Sequence, residues 1–383
     1  MQSGLRILFF IWFLHTAISV KSQNNIQTFQ VAFQSAKLIH HTKKFAFESN
    51  GYSLFLDAKI SVQTNGNKAW QQYYGYPRYG INLVFHDLGK PSILLGNAIG
   101  IYPFFDFGFL HRRKSSCRFV IGSGATYVFK PYNIKTNVAQ NAIGTHWNNS
   151  ATFQLKYEYN IYRNINLFFG VGLSHISNGG YAYPNLGLNY YSIIAGLGYN
   201  SNYARIKTLY NKHSQSKWSL SLIYGIAYRE IKVVGGPKYP VRIFSLEPAY
   251  HYNNFKSIRS GIEVEYHFVS AYFAAHTELA NDINSAFKAG LRLQGFLGHE
   301  WLIGPVSIEL RIGYQFLKSS IYAGYPLYNK FVIQYHLPIT IAKYFKVQTG
   351  IALKTQYGVA EYISINSGIR LKNYRFKLSQ LYL

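Results

Sequence analysis

The sequence predicts an all-β fold, a transmembrane antiparallel β-barrel. Three observations point to it. Apolar residues recur with period two, aromatic residues are abundant while charges are scarce, and an export signal is followed by no apolar run long enough for a membrane helix.

The export signal comes first along the chain. Arg6 supplies a positive start, an apolar run follows over residues 7–13 and continues weakly to Ile18, and the small-residue site Val20-Lys21-Ser22 offers cleavage before Gln23. The apolar run is too short to span a bilayer, which takes roughly 20 residues. Lys21 and the polar stretch Ser22-Gln23-Asn24-Asn25 argue against a retained anchor helix. The expected division is therefore 1–22 signal peptide, 23–200 first barrel and 201–383 second barrel-like half.

Composition fits a lipid-facing barrel. Aromatic residues make up 18% of the chain, with 35 Tyr and 28 Phe against 5 Trp, and charged residues only 14%. A soluble domain carries about 25% charged residues. Membrane barrels place aromatic girdles at both interfaces. The single cysteine, Cys117, excludes an internal disulfide or a thiolate metal cluster. The formal net charge of +25 suits the phosphates of lipopolysaccharide; it also suits nucleic acid, which an exported barrel rarely meets, so no nucleic-acid partner is expected.

Alternation marks the strands. In residues 258–268 the even positions Ile258, Ile262, Val264, Tyr266 and Phe268 oppose Arg259, Glu263, Glu265 and His267. In residues 153–159, Phe153, Leu155, Tyr157 and Tyr159 oppose Gln154, Lys156 and Glu158. The same reading places strands near 28–37, 51–62, 78–86, 93–107, 117–130, 147–160, 164–177 and 188–199, with a similar number from Lys217 onward. A soluble β-sandwich also alternates, with its apolar face inward; the signal and the tyrosine excess favour the membrane.

The halves read as a diverged repeat. Gly170-Val171-Gly172-Leu173 echoes Gly350-Ile351-Ala352-Leu353, and Tyr190-Tyr191-Ser192-Ile193 echoes Tyr362-Ile363-Ser364-Ile365. Two small barrels or one larger barrel would both satisfy this pattern, with the join near residues 201–216.

One hairpin carries chemistry. Phe169, Val171 and Leu173 form an apolar stripe that continues into His175 and Ser177, and the return strand starts its own stripe with Asn189. Side chains at i and i+2 share a strand face, so His175 can reach Ser177. An imidazole that takes the hydroxyl proton turns serine into a nucleophile; a third group must hold the imidazole, and donors must meet the oxyanion. Asn178, Asn185 and the backbone amides of Gly179 and Gly180 are the local donors. If the stripe faces lipid, the reachable substrate is a membrane lipid ester.

These residues resemble the lipid A 3-O-deacylases of the PagL type, broadly acyloxyacyl hydrolases, whose pattern runs H-x-S-N-G, a short spacer, P-N-x-G, a hydrophobic residue and Glu. His175, Ser177, Asn178, Pro184, Asn185 and Gly187 match it. The resemblance implies an eight-stranded outer-membrane barrel, a Ser-His-Glu triad on its lipid-facing wall, and removal of an ester-linked acyl chain from lipid A. It covers about residues 23–200.

The sequence departs from the pattern at the acid, where Asn189 stands. Glu158 alternates onto the inner face and is a poor substitute. The expectation is a lipid A deacylase with Ser177 as nucleophile, His175 as general base and Asn189 in place of the triad Glu. Asn185, Asn178, Gly179 and Gly180 would support the oxyanion, and neither a metal nor another cofactor is expected. In the second half Thr355, Tyr357 and Glu361 stand at the positions of His175, Ser177 and Asn189, a set that cannot run the reaction. His146, Trp147, Asn148 and Asn149 read as rim residues. His40 and His41, adjacent on an extended strand, would face opposite sides and so make a poor metal site. The rival from another class is a non-catalytic barrel: a pore, a structural protein or a degenerate hydrolase.

Overall fold

The computed structural model describes residues 26–49, 51–89, 92–201, 217–230, 234–277, 283–317, 325–341 and 344–372. The expected signal peptide and nearly all of the expected join, 202–216, lie outside the described residues.

Two closed eight-stranded antiparallel barrels follow one another along the chain, which decides against one larger barrel. The first consists of β1 (Ile26–Leu38), β2 (Ser53–Gln63), β3 (Arg78–Asp87), β4 (Asn97–Phe109), β5 (Ser115–Val128), β6 (Trp147–Asn160), β7 (Ile165–Ser177) and β8 (Leu188–Asn200). β1 closes the ring against β8, with Val31 opposite Leu197. The second consists of β9 (Trp218–Glu230), β10 (Lys238–Asn253), β11 (Lys256–His267), β12 (Leu291–Ile303), β13 (Val306–Leu317), β14 (Leu327–Ile341), β15 (Phe345–Gln356) and β16 (Val359–Lys372). β16 closes against β9, with Asn366 opposite Gly225. Closure removes the sheet edges that hydrocarbon could not satisfy.

The helices are short: α1 (Ala69–Tyr73), α2 (Ser92–Leu95), α3 (Phe268–His276) and α4 (Ile283–Gly290). None among the described residues is long and apolar enough to cross a membrane. The strands do that work. Outward positions are greasy and exposed, as with Phe33, Leu155, Val171 and Ile193 in the first barrel and Leu222, Leu246, Leu297 and Ile312 in the second.

Inward positions are polar, and their charges are paired. In the first barrel Asp57 accepts from Gln34 at 2.8 Å and Gln154 at 3.2 Å and pairs with Lys59 at 3.2 Å. Lower down, Arg78 makes a two-pronged contact with Glu158 at 2.7 and 2.8 Å, and Arg118 and Lys156 meet Asp106 at 2.7 and 3.4 Å. The second lumen is denser. Arg311 bridges Glu247 and Glu309, Arg259 and Arg370 meet Glu300, Lys354 meets Glu265, and Lys330 meets Glu263. Removing these charges from water is costly, and only full pairing makes it tolerable.

At the end of the first barrel where β7 turns into β8, the lumen is apolar instead. Phe55, Leu88, Leu95, Val128, Ile143, Ile176, Leu188 and Tyr190 form one buried cluster. Fully burying each such side chain contributes about 1.5–3 kcal/mol. Ile176, Leu188 and Tyr190 are the inward-facing neighbours of His175, Ser177 and Asn189, so this plug anchors the hairpin from inside.

Candidate active site

His175 and Asn189 are direct partners across the β7–β8 ladder, next to the Leu173–Tyr191 pair, whose side chains are exposed on the outer wall. The alternation that faces Leu173 to lipid therefore carries His175, Ser177 and Asn189 to the same outer face. Ile176 and Leu188, opposite each other one step on, point inward.

The three side chains form a continuous chain. Ser177 Oγ lies 2.8 Å from His175 Nε2, and His175 Nδ1 lies 2.6 Å from Asn189 Oδ1. The carboxamide Oδ1 can only accept, so the imidazole proton sits on Nδ1 and Nε2 is left to take the serine proton. Ser177 is only 4% exposed, although the stripe below it is open to lipid. Gly187 covers the imidazole: its φ is +77°, and a β-carbon there would come within 2.9 Å of His175 Cε1. Its amide donates to the carbonyl of Ala142 at 3.0 Å, which pins the loop over the site.

The loop between the strands is ordered by its own polar groups. The Asn178 carboxamide accepts from the amides of Gly180 at 3.1 Å and Ala182 at 3.4 Å and donates to the Ala182 carbonyl at 2.9 Å. The Asn178 amide donates to Asn185 Oδ1 at 3.0 Å. The Asn178 side chain and the Gly180 amide are thus engaged in shaping the loop. Asn185, with its oxygen so engaged, retains its amide nitrogen as a donor. Gly179 and Gly180, at φ +66° and +82°, lie against the second barrel, where β-carbons would meet Ile363 and the Glu361 carbonyl.

Of the residues read as rim, His146 bonds the Val128 carbonyl and stacks on Tyr127, Trp147 is exposed, and Asn148 ties back to Thr145. Among the described residues no group of His, Cys, Asp or Glu is arranged to hold a metal ion. His41, which sequence reasoning weighed only as a metal ligand on a strand, lies beside the site. β1 ends at Leu38, so His40 and His41 lie in the following loop and strand alternation does not govern them. His41 Nδ1 stands 3.0 Å from Asn189 Nδ2.

In the second barrel the described counterparts of the three residues, Thr355, Tyr357 and Glu361, form no such chain. Tyr357 is in the β15–β16 turn, and the ladder slips beside it: Lys354 pairs with Tyr362 and Thr355 with Ala360, so Glu361 is left unpaired. An extra residue in one strand re-aims a side chain. Glu361 is buried among Arg229, Arg292 and Lys354 at 2.9, 2.6 and 3.5 Å.

The fold defines the class, an eight-stranded outer-membrane β-barrel, and its outer wall carries a Ser–His–carboxamide chain. Residues 55–198 match the family model of lipid A 3-O-deacylase (PagL), and residues 216–376 match that of the acyloxyacyl hydrolase C-terminal domain. Over residues 55–198 the chain is thus similar to the lipid A 3-O-deacylase family, and its place is the Gram-negative outer membrane. No curated protein sequence matches it. Among solved structures, that of the outer membrane enzyme PagL is 15% identical, covered over 97% of its own length and 44% of this chain, with a TM-score of 0.31. A mutant of the Rh. blastica porin is 12% identical, with 100% and 91% covered and a TM-score of 0.19. The Pseudomonas putida toluene transporter TodX is 8% identical, with 90% and 92% covered and a TM-score of 0.18.

Proposed function

We propose that this protein is a lipid A deacylase, a carboxylic ester hydrolase that removes one ester-linked acyl chain from lipopolysaccharide within the outer membrane. The observation that carries the proposal is the position of His175, 2.8 Å from Ser177 and 2.6 Å from Asn189 on a wall that faces lipid. An ester held in the membrane can approach that wall without leaving the bilayer.

In the proposed sequence Ser177 Oγ attacks the ester carbonyl carbon while His175 Nε2 takes its proton. The negative oxygen of the tetrahedral intermediate is met by the Asn185 carboxamide nitrogen. Collapse breaks the bond to the lipid hydroxyl oxygen, which receives the proton from His175. Water, deprotonated by the same imidazole, then attacks the acyl-serine and releases a free fatty acid. Asn189 orients the imidazole but carries no charge, so it stabilises the imidazolium less than a carboxylate would. The equivalent acid-to-amide change in a serine protease costs about 10⁴ in kcat.

The test is mass spectrometry of lipid A after incubation with purified protein. Wild type should remove one acyl mass, Ser177→Ala should remove none, and Asn189→Glu should act faster than wild type. Lipid A left intact by both wild type and Asn189→Glu would return the protein to the non-catalytic reading. The pore form of that reading is already disfavoured by the ion pairs that fill both lumens.

A further inference from the structure

Asn189 differs from a carboxylate in one way that bears directly on the reaction: its two terminal atoms are unlike. Only Oδ1 can accept the proton on His175 Nδ1. If the amide turns over, an N–H faces the imidazole, His175 must carry its proton on Nε2, and that nitrogen can no longer take the proton of Ser177. An amide at this position works only if something on its far side sets its orientation.

His41 is on that far side. Its Nδ1 is 3.0 Å from Asn189 Nδ2, and its Nε2 is 3.2 Å from the carbonyl oxygen of Leu186. The carbonyl can only accept, so Nε2 carries the hydrogen and Nδ1 presents a lone pair. A lone pair selects the N–H end of the amide. The opposite tautomer would set Nε2 against the Leu186 carbonyl and one N–H against another, in return for a bond to the Ile39 carbonyl at 3.3 Å. Backbone and packing hold the ring there. The Ile39 amide donates to the Asn189 carbonyl at 2.8 Å, and the His41 ring meets Phe45 edge-on at 5.2 Å.

Resting on the reading of Ser177 and His175 given above, we propose that His41 is a positioning residue of this hydrolase. It fixes the Asn189 carboxamide with Oδ1 toward His175 and thereby sets the tautomer of the general base. The relay runs from the Leu186 carbonyl through His41, Asn189 and His175 to Ser177, and it lets an amide serve where a carboxylate, with two equivalent oxygens, would need no such help.

The experiment is a double-mutant cycle on the full chain in detergent micelles, with purified lipid A as the probe and fatty-acid release as the readout. His41→Leu should lower kcat by about tenfold or more with KM little changed, because loss of the correct tautomer is a kcat effect. His41→Asn, which keeps an acceptor near the Nδ1 position, should recover most of the loss. In the Asn189→Asp background, where both oxygens accept, His41→Leu should change kcat by less than about threefold. An equal loss in both backgrounds, or no loss in wild type, would overturn the proposal. A second readout is independent of turnover. In ¹⁵N-histidine spectra, His175, assigned by its absence in His175→Gln, should be the Nδ1–H tautomer in wild type and a mixture in His41→Leu; an unchanged tautomer also overturns the proposal. If wild type cleaves no lipid A, the hydrolase reading fails, and these spectra still decide the role of His41.

Discussion

At the scale of the residue, the site depends on small groups that leave room for larger ones. Gly187 is the sharpest case. Its positive φ disfavours any side chain, and the place a β-carbon would take is next to the His175 ring. Gly187→Ala should push the imidazole off Ser177, and a displacement on the order of 1 Å costs roughly 100-fold in rate. The expected result is a drop of that size in lipid A cleavage, with the barrel still shifting its gel mobility on heating as wild type does. An unchanged rate would show that the ring tolerates the intrusion. Residue-level reading of the sequence reached His175, Ser177 and Asn189 because strand alternation fixes which side chains share a face. It weighed His41 only as a metal ligand and gave it a strand's alternation, whereas that residue is past the end of β1, where the chain turns and no period applies. It also could not see that the Asn178 side chain and the Gly180 amide bond each other, since loop hydrogen bonds follow from a turn geometry that the residue types alone do not specify.

At the scale of the element, eight strands stay in register because the lumen side chains interlock. Arg78 on β3 and Glu158 on β6 are both buried and make two hydrogen bonds across the lumen, and Asp106 on β4, itself bonded by Arg118 on β5, lies 3.9 Å from Arg78. Arg78→Met would leave Glu158 buried without its partner, at a cost of about 3–5 kcal/mol. Urea unfolding of the purified protein should show a lower midpoint for the first barrel; a midpoint equal to that of wild type would mean that water or Arg118 replaces the lost cation. The strand positions were legible in the sequence to within a few residues: 188–199 read from alternation matches β8 (Leu188–Asn200), whereas 93–107 took in α2 (Ser92–Leu95) ahead of β4 (Asn97–Phe109), because a short apolar run looks alike in a strand and a helix. Glu361 was not. Sequence comparison aligns it with Asn189, yet the slip in the β15–β16 ladder turns it into the lumen, and a bulge leaves no mark in a two-residue period.

At the scale of the whole molecule, the two barrels touch at opposite ends of the first one. At the end that bears the site, the Tyr183 amide donates to the Glu230 carboxylate, which Lys238 also holds at 2.6 Å, and Gly179 and Gly180 fit closely against Ile363 and the Glu361 carbonyl. At the other end, Tyr74 donates to the Phe255 carbonyl at 2.9 Å and Tyr73 packs on the Phe255 ring. The second barrel thus braces the loop that follows Ser177. Gly180→Ala places a β-carbon 2.7 Å from the Glu361 carbonyl. It should lower lipid A cleavage while both barrels remain folded by circular dichroism and heat-shift on gels. Unaltered cleavage would separate the second barrel from the reaction. The choice between two barrels and one was beyond the sequence, because closure rests on pairing of the first strand of each barrel with its last, and alternation is the same whichever strands meet.

The outward direction of His175 and Ser177 has a consequence for how such a protein meets its substrate. A site that opens sideways into lipid samples a two-dimensional solution. What sets its encounter rate is the fraction of neighbouring molecules that are substrate, not the amount of substrate in the tube. Diluting lipid A with an inert phospholipid at fixed total lipid A should therefore slow turnover, and adding more vesicles of constant composition should not. A site that opened to the water would follow the total amount of lipid A, indifferent to its dilution in the bilayer and faster as vesicles are added.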